Sequence, residues 1–365
     1  MSSDRVNIDF EPQLYGINSK ASFNEEFEYI YFFFKDKNLK NIRAYPKDYL
    51  GYLQKLGLEL PKLSPHDQNQ NDWWGELSEK SRVLNSKVTA VEIGLQNGLC
   101  PDSVRVVTKI EEVESILDEN PRKDFFIRDP YLAAGNNSLI FSRKNFKKKF
   151  ISKLLNERNL IMAPYFRRLM DVGFVFNHGE IELLWNLNSK DGKFKAGIIY
   201  REEKDFFDLI ESEFGLKRNE ILGIQNKIYG LYQKKGAEGI MQVDSFFYQE
   251  EGQVKYYPLV EVNYRKTFGL FINRLRLLLK DEEVGIFLNF NTSDLRPIEN
   301  FNQRLDQIGD LSVIPLSPQD GRFSSFFATS DSLSNLHNLI KKTWQKLSTG
   351  EATLSPSLNL DQFIL

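Results

Sequence analysis

Two neighbouring stretches near the middle of the chain constrain it most. Met241-Gln-Val-Asp-Ser-Phe-Phe247 and Glu261-Val-Asn-Tyr-Arg265 both alternate as strands do, and Glu251-Gly-Gln-Val254 between them reads as a hairpin connection. A period of two puts Glu261 and Asn263 on one face of the second strand, and the turn brings Asp244 beside them. Two carboxylates and an amide oxygen then converge. Hard divalent cations that also carry phosphates are held by oxygen sets of this kind. Arg265 projects from the same face one step on, toward phosphate charge. The competing reading is a solvated hairpin face, and the rest of the chain decides between them.

A chain of 365 residues exceeds what one typical core supports, so two or three packed lobes are expected. Its 41% hydrophobic and 27% charged residues are those of a globular enzyme or binding protein. A net charge of -2 gives no global basic field, which argues against nucleic acid as the main partner. The single cysteine, Cys100, excludes internal disulfides and a thiolate metal cluster and fits a reducing compartment. It reads as an inert, partly buried thiol. His66, His178 and His337 lack metal-like spacing. No apolar run reaches membrane length, and Met1-Ser-Ser-Asp-Arg is not a signal peptide, so a cytoplasmic protein with no membrane partner is expected.

The opening residues carry an aromatic run, Phe27 to Phe34, read as core or lobe interface, and a helix start after Pro46. Ser64 to Asp72 reads as a polar linker. A helix capped at Asn85 or Ser86 runs to Asn97-Gly98. Strands follow at Pro101–Thr108, Asp124–Pro130 and Leu139–Ser142, with an acidic helix at Ile110–Leu117. The loop from Tyr131 to Ser138 is small and turn-prone, with backbone N–H groups able to face an anion. The basic run Arg143 to Lys149, continuing to Lys153, reads as a solvated helix face rather than a nucleic-acid patch. After Arg265 a helix candidate (Thr267–Lys280), further strands (Val284–Asn291, Leu311–Leu316, Ser325–Thr329) and a last helix (Ser332–Leu347) read as a terminal lobe that finishes a substrate cleft.

The order of these pieces resembles the ATP-grasp superfamily of carboxylate-amine and carboxylate-thiol ligases. The matching stretches are Asn85-Ser-Lys87, Gly98-Leu-Cys-Pro101, Phe126-Ile-Arg128, Ala133-Ala-Gly-Asn-Asn-Ser138, Leu160-Ile-Met-Ala-Pro-Tyr165, Asp244 and Glu261-Val-Asn263, spread over roughly residues 80 to 270. The resemblance implies an α+β fold of two lobes clasping a nucleotide. It divides the chain into an N-terminal α/β unit (1–80), a small lobe (81–160), a large lobe with the metal site (161–280), a C-terminal extension of the large lobe (281–347) and a tail (348–365).

The same resemblance implies roles for single residues. Lys87 and Arg128 stand as the two phosphate-side cations. Ala133, Gly135, Asn136, Asn137 and Ser138 form the loop over the phosphates. Met162, Ala163 and Tyr165 form the adenine hinge, with Asp171 as the acid that follows it. Asp244, Glu261 and Asn263 hold one or two Mg2+ ions. Arg265, Arg128 and Lys266 serve the transferring phosphoryl group or the substrate carboxylate. Against the family pattern, position 128 carries Arg where Lys is usual, the loop is poor in glycine, and the hinge lacks an acid at Ala163. The implied activity is ATP- and Mg2+-dependent activation of a carboxylate as an acyl phosphate, then its capture by an amine. A nucleotide-binding protein without turnover and a kinase that stops at phosphoryl transfer share the same residues.

Overall fold

The structure, a computed structural model, describes residues 3–16, 24–34, 38–64, 70–131, 138–188, 194–279, 281–310 and 312–349. The opening unit contains β1 (Ser3–Arg5), α1 (Phe10–Leu14), α2 (Asn24–Phe27), β2 (Asn38–Leu39), α3 (Lys47–Lys55), β3 (Lys62–Leu63) and β4 (Gln70–Asp72). Among the described residues its strands form a parallel sheet in the order β3-β2-β1-β4. The expected linker is therefore in part a strand. Its Gln-Asn-Asp pairs with Ser3–Arg5 at a sheet edge, where no alternation is demanded, so its polar composition gave no sign of pairing. Residues 65–69, with His66, lie outside the described residues.

The aromatic run is core, as its composition suggests. Tyr29 to Phe33 lie in a 3-10 turn with at most 1% exposure, packed with Phe271, Phe287 and Phe327. Glu28 opens that turn and is fully buried. Its carboxylate accepts from the Ile42 N–H at 2.7 Å and the Tyr45 hydroxyl at 2.8 Å. Burial nonetheless pushes its pKa up from 4.5 to about 7. The stability tied to a protonated Glu28 is thus fully present below pH 4.5 and lost once pH passes about 7, a change of about 3 kcal/mol. Glu28→Gln is expected to lack this slope. Denaturant unfolding at pH 4.5 and pH 8 should show Gln gaining about 3 kcal/mol relative to wild type between them. Parallel changes for the two proteins would show that Glu28 ionises freely.

After α4 (Glu79–Leu84) and α5 (Lys87–Asn97) comes a smaller antiparallel sheet, β5-β8-β6-β7. It is built from β5 (Arg105–Val107), α6 (Ile110–Glu119), β6 (Phe125–Arg128), β7 (Leu139–Phe141), α7 (Lys148–Glu157) and β8 (Leu160–Pro164). Phe125, Ile127, Phe141 and Met162 fill its core with Val113, Leu117, Ile151 and Leu154 from α6 and α7. The basic run is exposed and ion-paired: Arg143 meets Asp118 at 2.9 Å and Lys148 meets Glu114 at 2.8 Å, both on α6.

The remaining strands make one eight-stranded antiparallel sheet among the described residues, ordered β13-β12-β9-β10-β11-β14-β16-β15. Its elements are β9 (Arg167–Asn177), β10 (Glu180–Asn188), β11 (Phe194–Tyr200), α8 (Glu203–Phe214), α9 (Arg218–Gln233), β12 (Met241–Glu250), β13 (Gln253–Asn263), α10 (Phe268–Arg274), β14 (Val284–Asn291), α11 (Phe301–Ile308), β15 (Val313–Pro315), β16 (Phe323–Ser330) and α12 (Leu333–Leu347). The segment after Arg265 adds strands to this sheet. β14, β16 and β15 continue the large sheet. The loop before β16 leans on the opening unit, where Glu26 accepts from the Arg322 N–H at 2.8 Å. Of the expected tail, Ser348 is 3% exposed and bridges to Leu295, and residues 350–365 lie outside the described residues. No helix among the described residues is long and apolar enough to cross a membrane.

Candidate active site

The hairpin that carries the acids closes more tightly than the sequence suggests. Glu251 and Gly252 both take positive φ, 51° and 79°, so these two residues alone form the turn, and Gln253-Val254 already belongs to β13. The turn sets the pairs from Glu250–Gln253 to Phe246–Tyr257; an irregularity between Phe246 and Asp244 then shifts the register by two residues, so that Asp244 pairs with Glu261 and Gln242 with Asn263. All four side chains therefore share one face. Gly173 of β9 lies opposite Asp244, and Asp171 two residues earlier sits on the same side of the sheet.

Both cations named from sequence converge on Glu261. Lys87 Nζ is 3.2 Å from Glu261 Oε2 and Arg128 Nη1 is 3.5 Å from it, while Arg128 Nη2 donates to the Val260 carbonyl at 2.9 Å. Lys87 is the first residue of α5, the positive end of the helix, where a cation is locally unfavourable. Its Glu261 partner compensates that placement. Glu261 keeps 20% of its side chain exposed, so the group can be reached from solvent. Burial alone would raise the Glu261 pKa, but the Lys87 and Arg128 charges outweigh it and hold the carboxyl below its usual range. Asp244 moves the other way. Burial first, and then the Glu261 charge, push it up to about 7 against the hydrogen bond from Gln242.

Amide groups fix the orientation of Asp244. Gln242 Nε2 donates to its Oδ1 at 2.6 Å and Asn263 Nδ2 to its Oδ2 at 2.9 Å. Gln242 is held in turn by the Thr267 hydroxyl at 2.6 Å, and it passes so close to Gly269 that a Cβ there would collide with its Oε1. Only glycine fits at that position. Asn263 thus shows its nitrogen to Asp244 and its oxygen to Arg265 Nη2, at 3.0 Å. Asp244 and Glu261 together offer the carboxylate oxygens that a hard divalent cation takes. The residues fit Mg2+, with the Asn263 oxygen joining the set after rotation about its terminal bond.

The other residues named from sequence are placed unequally. Met162 lies mid-strand, paired with Arg105 on one side and Ile127 on the other, and its side chain is buried in the small-sheet core. Ala163 and Pro164 pair on one side only, with Phe126 and Phe125, and Tyr165 is 47% exposed. The open end of this strand is thus Ala163–Tyr165, whereas Met162 is paired on both sides. Asp171 pairs with Arg168 at 2.8 Å. Lys266 is turned away from the acids: Nζ donates to the Trp73 carbonyl at 2.8 Å and lies over the Trp73 ring. Ser138 precedes β7, whereas Ala133, Gly135, Asn136 and Asn137 lie outside the described residues. Cys100 is buried against the Tyr257 hydroxyl, 3.2 Å away, and burial pushes the thiol pKa up.

Three contributors escaped the sequence reading. Gln242, two residues before Asp244, was open to the same period-two argument. Asn85 clamps the end of β13, accepting from the Tyr264 N–H at 2.8 Å. Glu11, from α1, grips Arg265 through Oε1, which accepts from both Nη2 and Nε, the latter at 3.2 Å. These last two contacts join segments too distant in sequence for any local pattern to show.

A four-stranded antiparallel sheet and an eight-stranded one, with Arg128 of the former and Lys87 of α5 turned to paired acids on the latter, make up the ATP-grasp fold. Among solved structures it is similar to N5-carboxyaminoimidazole synthetase from Staphylococcus aureus complexed with ADP, at 11% identity and a TM-score of 0.51, over 83% of this chain and 85% of that one. The N5-carboxyaminoimidazole ribonucleotide synthetase from Thermus thermophilus matches at 13% identity and a TM-score of 0.49, over 96% and 99%. An L-amino acid ligase from Bacillus licheniformis matches at 10% and 0.46, over 75% and 73%. No protein-family model and no curated protein sequence matches the chain.

Proposed function

We propose that this protein is an ATP- and Mg2+-dependent ligase that activates a carboxylate as an acyl phosphate and joins it to an amine. One observation carries the reading: Asp244 and Glu261 lie side by side across adjacent strands, with Lys87 and Arg128 both turned onto Glu261. A half-buried acid pair is costly for a fold to hold, whereas phosphoryl transfer needs both signs of charge side by side. The ADP complex of the S. aureus synthetase, which shares the fold, supports the nucleotide assignment.

In this reading Asp244 and Glu261, with Asn263, hold the metal, whose charge offsets that of the phosphates. Lys87 and Arg128 bind phosphate oxygens, Arg128 as a planar fork rather than a point donor. The Ala163–Tyr165 segment, with its unpaired strand side, receives the adenine. Arg265 binds the substrate carboxylate beside Asn263. Lys266, held by Trp73, acts through packing only.

ADP with magnesium is expected to stabilise the protein by about 3 kcal/mol at a hundredfold excess over Kd, seen as a rise in Tm. Candidate acids and amines together should then release ADP from ATP, with a product mass equal to acid plus amine less water. A phosphorylated acid as the end product would indicate a kinase. No thermal response to ADP or ATP with magnesium would remove the basis of the assignment.

A further inference from the structure

Arg265 has all three guanidinium nitrogens engaged. Nε and Nη2 go to Glu11 Oε1, Nη2 also to Asn263 Oδ1, and Nη1 to the Lys266 carbonyl. The Arg265 and Glu11 side chains are 11% and 9% exposed, so this ion pair is almost wholly withdrawn from solvent. Yet it is satisfied at one end only. Glu11 Oε2 is buried with no hydrogen-bond donor among the described residues. A carboxylate that serves only to hold an arginine gains most by a two-oxygen grip, with each oxygen on its own N–H. Here both guanidinium contacts fall on a single oxygen, and the other is left uncompensated.

We infer that the Glu11 carboxylate is the protein's own occupant of the anion position on Arg265, so that a substrate carboxylate enters by exchange with it. The inference rests on the reading of Arg265 as the group that binds the substrate acid. Charge is conserved in the exchange: one carboxylate replaces another on the same guanidinium, and the released Glu11 oxygens regain donors from water. Glu11 lies on α1 of the opening unit, and Arg265 lies two residues beyond the end of β13, which carries Glu261. Entry of the acid would therefore loosen one tie between the opening unit and the acid-bearing strand. The device also sets specificity, because an acid too weakly held to displace an internal carboxylate would not be activated.

The test needs no nucleotide and no identified substrate. Acetate, titrated at constant ionic strength against chloride, is followed by Tm and by broadening of its own proton resonance. Glu11→Gln is expected to bind acetate at least about tenfold more tightly than wild type, and adding Arg265→Leu to that variant should abolish the gain. Should Glu11→Gln not fold, Glu11→Asp, which keeps the charge but retracts it by one methylene, should show a smaller gain in the same direction. Equal acetate affinity in wild type and the Glu11 variant, or a gain that survives loss of Arg265, overturns the inference. Because the ligase reading is tested separately by ADP and magnesium, either can fail while the other stands.

Discussion

Replacing Asp244 by Asn is expected to erase the magnesium-dependent part of nucleotide stabilisation while leaving a folded protein. The unfolded-state value near 3.8 and the folded value near 7 mean that the stability tied to a protonated Asp244 is present at low pH and lost as pH rises through about 7. An uncharged Asn avoids that loss. It also introduces an N–H2 group between two amide donors, those of Gln242 and Asn263, and the mismatch offsets the gain. The free variant at pH 8 should therefore melt within about 5 °C of wild type. Metal binding is another matter, since a hard cation needs the ionised oxygen. Titrating magnesium at fixed ADP should raise Tm in wild type, more at pH 8 than at pH 6, because a proton competes for Asp244 below about 7. In Asp244→Asn the increment should vanish at both pH values, and turnover should fall on the order of a thousandfold. A magnesium increment that persisted unchanged in the variant would show that these carboxylates are not its ligands.

The parts of the molecule that were legible in advance are those fixed by local periodicity. Alternation was enough to place Asp244 on the face that carries Glu261 and Asn263, but the pairing itself needed the irregularity between Asp244 and Phe246, since the turn alone would set Asp244 against Leu259. The αL Gly98 that ends α5 was likewise written locally, whereas Ser86 stands at the N-cap with no side-chain capping bond. Where packing rather than pattern decides, the reading failed. The polar Gln70–Asp72 carried no strand signal because an edge strand needs only its backbone. Met162 looked like a hinge residue from its place in the string, yet it is paired on both sides and its side chain is buried in the small core. Arg265 itself was read as facing phosphate charge, and its capture by Glu11 depends on how the opening unit seats on the large sheet.

The ion-pair arrangement at Glu261 makes a second, separable prediction. Lys87 at the first position of α5 sits against the helix dipole and is stabilised there by a carboxylate that would otherwise be buried. Lys87→Met leaves Glu261 with Arg128 alone, at 3.5 Å. Breaking a fully buried pair costs about 3–5 kcal/mol, but Arg128 remains and Glu261 is one-fifth exposed, so a loss of about 2 kcal/mol is expected. Glu261→Gln in the same chain removes the orphaned charge, and the double variant should recover most of that stability. Nucleotide affinity should not recover, since the double variant has lost both a phosphate-side cation and a metal-side acid. Denaturant unfolding of wild type, the two single variants and the double variant closes the thermodynamic cycle, and ADP titration of the same four proteins supplies the second readout. If the double variant regained ADP affinity along with stability, Lys87 and Glu261 would be a structural pair and the phosphate role of Lys87 would fall. Recovery of stability alone separates the two roles, because a purely structural ion pair has no means of making them diverge.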